Sequence, residues 1–122
     1  MKRTHWVPIF LTALCAVVLG AALLAHAADA EQGKKIYNEP GRCASCHGPS
    51  GKGDGPLAAN LPVKPRDHTD REYMSQLSDE DLFKVIKGGG TAIGKSPLMP
   101  PSGLKDEQIS DVIAYVRALC CK

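Results

Sequence analysis

Cys43-Ala44-Ser45-Cys46-His47 decides how this chain reads. Two thiols three positions apart lie about one helical turn from each other, on one side of the chain, and an imidazole follows at once. That order of groups lets both sulfurs add to the two vinyl groups of one haem while His47 ligates the iron from the proximal face. A redox dithiol also uses Cys-x-x-Cys, but at the start of a helix in a βαβ unit, and no strand pattern surrounds this pair. A structural zinc site needs four ligands, and Cys120 and Cys121 are adjacent instead of spaced as a second chelating pair. The stretch is read as covalent haem attachment.

Upstream of the motif, Asp29 to about Asn38 reads as a short helix that contributes Ile36 and Tyr37 to a core, with Asp29 as N-cap and Gln32 at the capping-box position. Pro40-Gly41 ends that helix just ahead of Cys43. Further back, Lys2 and Arg3 form a basic n-region and Ile9 to Leu24 is an uncharged apolar run. Two small-x-small sites follow, Ala25-His26-Ala27 and Ala28-Asp29-Ala30. This pattern reads as a secretory signal peptide over residues 1–27, leaving one domain over 28–122. A cut after Ala27 is preferred to one after Ala30 because it keeps Asp29 as a helix cap. The competing reading is an uncleaved anchor over residues 7–25, which approaches the roughly 20 residues needed to cross hydrocarbon. Cys15 has no persuasive lipobox before it.

Downstream, residues 48–65 are crowded with Gly and Pro, which forbids long helices or strands there. So long an irregular loop in a small domain makes sense if it wraps a cofactor. Asp70 to Gln76 reads as a helical turn. Ser78 is an N-cap with Asp81 three residues on, and Leu82, Val85 and Ile86 form the apolar stripe of a helix stopped at Gly88. Ile109, Val112, Ile113, Val116 and Leu119 repeat the stripe over a longer final helix, at whose start Lys105 stands in place of a good cap. Gly88-Gly89-Gly90 is not a phosphate loop, because no Gly-Lys-Ser/Thr closes it and no strand precedes it.

The second iron ligand decides between carrying electrons and binding small ligands. Met99 is the candidate, in Ser96-Pro97-Leu98-Met99-Pro100-Pro101, where flanking prolines stiffen the backbone and remove competing donors. Met74, in a helical turn, is read as packed. His68 stands in the charged run Arg66-Asp67-His68-Thr69-Asp70 and is read as solvated. The formal charge of the whole chain is +2, with no basic run, which argues against a nucleic-acid partner.

Taken together, Cys43 to His47, Gly33-x-x-x-Tyr37, the Gly/Pro-rich loop, Met99-Pro100 and Ala114-Tyr115-Val116 resemble a class I cytochrome c of the bacterial monohaem type. The resemblance implies an all-α fold of three to five short helices wrapped around one covalently bound haem c, with the first and last helices crossing near Gly33 and Tyr115. It implies thioethers at Cys43 and Cys46, iron held by His47 and Met99, and a backbone carbonyl orienting the His47 ring, for which Pro56 is the expected acceptor. Tyr73, Asn60 and Arg66 are expected near the propionates. The implied activity is one-electron transfer by a monomeric periplasmic carrier, not an enzyme, that docks transiently on redox partners at the haem edge, where Lys34, Lys35, Lys52 and Lys95 are rim candidates. The alternatives are a haem subunit of a periplasmic oxidoreductase and, if Met99 is off the iron, a protein that binds gases or peroxide. A membrane enters only if the N-terminal segment stays uncleaved. For Cys120 and Cys121, a vicinal disulfide, an intermolecular link and inert thiols all remain open.

Overall fold

The computed structural model describes residues 26–122, so the apolar run and the basic n-region lie outside the described residues. Among the described residues no helix is long and apolar enough to cross a membrane. Every regular element described is helical. The α-helices are α1 (Ala30–Asn38), α2 (Ala44–His47), α3 (Arg71–Met74), α4 (Asp79–Gly88) and α5 (Asp106–Cys120), with short 3-10 turns at Ala58–Asn60 and Gly90–Ile93.

Helix α1 begins as the sequence indicates. Asp29 Oδ1 accepts from the amides of Glu31 (2.8 Å) and Gln32 (3.2 Å). The partner of the Asp29 amide itself differs from the expected Gln32 side chain, because that amide donates to Asp111 Oδ1 on α5 at 2.8 Å. A tertiary carboxylate has displaced a local capping box. Gly33, Ile36 and Tyr37 form the buried face of α1, laid against α5. A Cβ on Gly33 would overlap the Asp111 carbonyl oxygen and approach Tyr115 Cβ at 3.0 Å, so the helix crossing needs a residue without a side chain.

Helix α4 carries the expected reciprocal cap: Ser78 Oγ accepts from the Asp81 amide at 3.0 Å, and Asp81 Oδ2 accepts from the Ser78 amide at 3.0 Å. Its stop falls one residue later than expected, at Gly89, whose φ of +80° suits glycine. The start of α5 is explained by Gln108, whose Oε1 accepts from the Lys105 amide at 3.0 Å, and by Asp106 and Glu107 against the positive end of the helix dipole. Arg117 fastens α5 to the turn between α3 and α4. Its guanidinium donates to the carbonyls of Met74 (2.7 Å) and Leu77 (2.5 Å) and to Asp79 Oδ1 (2.8 Å).

The core joins Ile36 and Tyr37 of α1 to Met74, Leu82 and Ile86 and to Ile109, Val112, Ile113, Tyr115 and Val116 of α5. Cys120 is buried at the end of α5 and is disulfide-bonded to the exposed Cys121, which selects the vicinal bridge among the three possibilities for that pair.

Candidate haem site

The stretch Cys43 to His47 follows α1 through a tight turn in which the Gly41 amide donates to Ile36 O at 2.8 Å. Cys43 is the N-cap of α2, and Cys46 and His47 lie within it. A four-residue helix leaves most of its carbonyls without partners of its own. The Gly/Pro-rich loop supplies them: Leu57 donates to Ser45 O (2.9 Å), Gly55 to Cys46 O (3.0 Å) and Gly53 to His47 O (2.8 Å). A Cβ on Gly55 would sit 2.5 Å from both the Ala44 and Ser45 carbonyl oxygens. The glycines are there because backbone meets backbone.

Cys43 and Cys46 are free thiols, both partly buried. Burial pushes the Cys43 thiol up to about 11, with a lesser contribution from Cys46. A dithiol that attacks disulfides needs the opposite shift, toward thiolate. Cys43 is thus poorly suited to disulfide exchange.

His47 Nδ1 lies 2.9 Å from the carbonyl oxygen of Arg66. A carbonyl only accepts, so Nδ1 carries the hydrogen and Nε2 is left with a free lone pair. Burial lowers the His47 pKa, partly offset by that hydrogen bond, which keeps the ring neutral and ligand-competent at neutral pH. The acceptor is Arg66 and not the expected Pro56. Residues 55–57 are committed to capping α2, whereas the chain returns along 51–53 and brings residues 65–68 to the imidazole edge, with the His68 amide donating to Gly51 O at 2.6 Å.

The same return corrects the reading of His68. Far from a solvated charge, its ring stacks on His47 with centroids 4.2 Å apart and planes 22° from parallel. Its Nδ1 is 3.3 Å from the Tyr37 hydroxyl. Burial, with His47 alongside, pushes its pKa down to about 3. Local composition was a poor guide here because neighbouring Asp67 turns its carboxylate back onto Thr69 (2.7 Å to the amide, 2.6 Å to the hydroxyl) instead of toward the ring.

Met99 is half-buried in the loop after the second 3-10 turn. Its carbonyl accepts from the Gly90 amide at 2.9 Å, and Ser102 donates to Ile86 O at 3.0 Å, so both sides of the loop are tied to the end of α4. Cys43, Cys46, His47 and Met99 line one cavity of about 560 Å³, walled by Leu82, Val85, Ile86, Val112 and Val116. That is within the roughly 300–1,000 Å³ range of small-molecule sites. Met74 is fully buried, as expected of a packed residue, and its side chain forms part of the same wall.

Tyr73 and Arg66 also line the cavity, the guanidinium 3.7 Å over the tyrosine ring, whereas Asn60 does not line it. Of the four rim lysines, Lys95 reaches the cavity lining and Lys34, Lys35 and Lys52 do not; Lys64, overlooked in the sequence, does. Among the described residues the exposed large apolar side chains, Leu57, Val63 and Leu98, all line this cavity too. Two thiols, an imidazole with a free Nε2, a thioether and apolar walls form a donor set that fits a haem.

Residues 30–119 match the family model described as "Cytochrome c". Over 91 residues the chain is 33% identical to cytochrome c-554(548) of Halomonas halodenitrificans, covering 73% of this chain and 94% of that protein. Among solved structures it is similar to the KustC0563 c-type cytochrome, with a TM-score of 0.57 and 27% identity over 72% of this chain and 96% of that one. It is also similar to a chain of the Kuenenia stuttgartiensis reducing HAO-like protein complex Kustc0457/Kustc0458, with a TM-score of 0.58 and 29% identity over 75% of this chain but 43% of that one. With every α-helix but the last residue of α5 inside the matched region, the chain belongs to the cytochrome c family, whose members carry covalently attached haem c with iron and serve in electron transfer.

Proposed function

We propose that the chain is a periplasmic one-electron carrier in which Cys43 and Cys46 hold the haem by thioethers and His47 and Met99 ligate its iron. The observation that carries this reading is the convergence of those four side chains on one cavity, with His47 Nδ1 already engaged by Arg66 and Nε2 left free. Bound haem supplies an iron that changes by a single electron. The protein's own residues set how. His47 and Met99 would together hold the iron and leave it no vacancy for a substrate. The soft sulfur of Met99 favours the ferrous state, and so do the apolar walls, which disfavour the extra positive charge of the ferric site. Leu57, Val63 and Leu98 at the cavity margin, with Lys64 and Lys95 beside them, offer a small contact surface suited to transient docking of a redox partner.

Replacing Met99 with Ala tests the ligand set. Haem is expected to stay covalently attached while the near-infrared sulfur-to-iron band disappears and the reduction potential falls. An unchanged band would overturn the assignment. Rapid carbon monoxide binding to the reduced wild-type protein would instead support a gas-binding site.

Export with cleavage after Ala27 is part of the same proposal. Asp29 both caps α1 and donates its amide to the buried Asp111 carboxylate, and a cut after Ala30 would remove both contacts. The preferred cut removes His26, whose Nε2 lies 2.7 Å from Asp111 Oδ1, but leaves the Asp29 amide in place. Sequencing the N-terminus of the exported protein checks this, with Ala28 expected first. A second reading, a haem subunit of an oxidoreductase, is favoured by the likeness to a chain of the HAO-like complex. Co-purification with one partner at fixed stoichiometry would select it over the free carrier.

A further inference from the structure

A single hydrogen bond does not fix the plane of an imidazole. The Arg66 carbonyl holds His47 by one edge, at Nδ1, and a ring held only there can still swing about the line through its two nitrogens. The second constraint is His68, stacked on the face of the same ring. Arg66 and His68 are two residues apart on one strand of loop, so the segment grips His47 by edge and by face at once.

His68 is itself held. Its amide donates to Gly51 O, and its Nδ1 meets the hydroxyl of Tyr37 at 3.3 Å. Tyr37 is fully buried on α1, with its ring edge-on to Tyr115 of α5 at 5.1 Å between centroids. Tyr115 donates in turn to Pro49 O at 3.1 Å, in the loop just after the motif. The support of the His47 face is therefore anchored in the crossing of α1 and α5. Nothing in the haem motif requires a planar ring at position 68, so this contact is a property of this chain's own loop.

We propose that His68 is a positioning residue for the proximal ligand: held by the Tyr37 hydroxyl, it presses on the face of His47 and sets the rotation of that imidazole about the bond its Nε2 makes. The proposal rests on the reading of His47 as an iron ligand. An imidazole donates electron density to the metal anisotropically, along a direction fixed by its plane, so a rotated ring changes the electronic symmetry of the site without changing its ligands.

The test uses haem-loaded His68→Ala, His68→Phe and Tyr37→Phe variants, read by proton NMR of the oxidised protein, where the hyperfine shifts of the haem methyl groups report the orientation of the axial imidazole. His68→Ala is expected to change the order or spread of those shifts, and His68→Phe, which keeps a flat ring against His47, to restore the wild-type pattern. Tyr37→Phe should move the pattern in the same direction as His68→Ala by a smaller amount. A wild-type pattern in His68→Ala, or a pattern as altered in His68→Phe as in His68→Ala, overturns the positioning role. Should His68→Ala fail to fold, a wild-type pattern in Tyr37→Phe counts against it in the same way. Failure of the His47 assignment is separately visible: the unmodified oxidised protein would then lack a low-spin, imidazole-ligated spectrum before any variant is compared.

Discussion

Burial raises the Cys43 thiol to about 11 while Cys120, no less buried, is tied to Cys121, so the cysteines among the described residues fall into two chemically different pairs. Replacing Cys43 or Cys46 with Ala is expected to weaken covalent haem attachment, and replacing Cys120 to leave it intact, as measured by haem retained after acid-acetone extraction. Haem loading that depended on Cys120 would contradict this division. Spacing along the chain was enough to bring Cys43, Cys46 and His47 to one cavity. It was a poor guide where a partner came from a distant segment. Pro56 was the expected acceptor for His47 and Arg66 is the actual one, because the acceptor depends on how an 18-residue irregular stretch turns back, which local pattern does not encode. His68 was misread for the same reason: a charged run reports its neighbours' solvation, not its own contact with an imidazole twenty-one positions earlier.

The helices themselves were legible, because caps and apolar stripes are local signals. Ser78 with Asp81 and the stripe through Ile109, Val112, Ile113 and Val116 appear as read, while the 3-10 turns at Ala58–Asn60 and Gly90–Ile93 carry no such signal and were missed. The cap of α4 leads to a pH prediction. Hydrogen bonds from the Ser78 hydroxyl and amide hold Asp81 below its ordinary carboxylate value. A depressed folded pKa contributes stability that is present above the unfolded value, about 3.9, and is lost as pH falls through the folded one. The difference in urea midpoint between wild type and Asp81→Asn should therefore be largest near neutrality and shrink below about pH 4. An equal difference at both pH values would refute the cap's charge dependence. At the α1–α5 crossing, Gly33→Ala should destabilise by about 1–3 kcal/mol or more, since the new methyl meets backbone that has no rotamer to yield. Melting at the wild-type temperature would show that the helices can slide apart freely.

For the molecule as a whole, the cavity is large relative to the chain. Leu82, Val85, Ile86, Val112 and Val116 wall a cavity of about 560 Å³, so a bound haem would supply much of the apolar contact that so small a domain cannot make by itself. A Cys43→Ala/Cys46→Ala double variant purified without haem is expected to lose fixed tertiary structure, seen as a collapse of near-ultraviolet circular dichroism and a non-cooperative urea transition. A cooperative transition at the wild-type midpoint would mean the helices suffice alone. The packing of Gly33 against Asp111 and Tyr115 has a temporal side as well. The partner surface of α1 is synthesised well after it, on α5, so α1 emerges with its apolar face unmatched and stays uncommitted until Asp106–Cys120 has followed. A truncation that removes α5 therefore also deprives α1 of the surface it packs against.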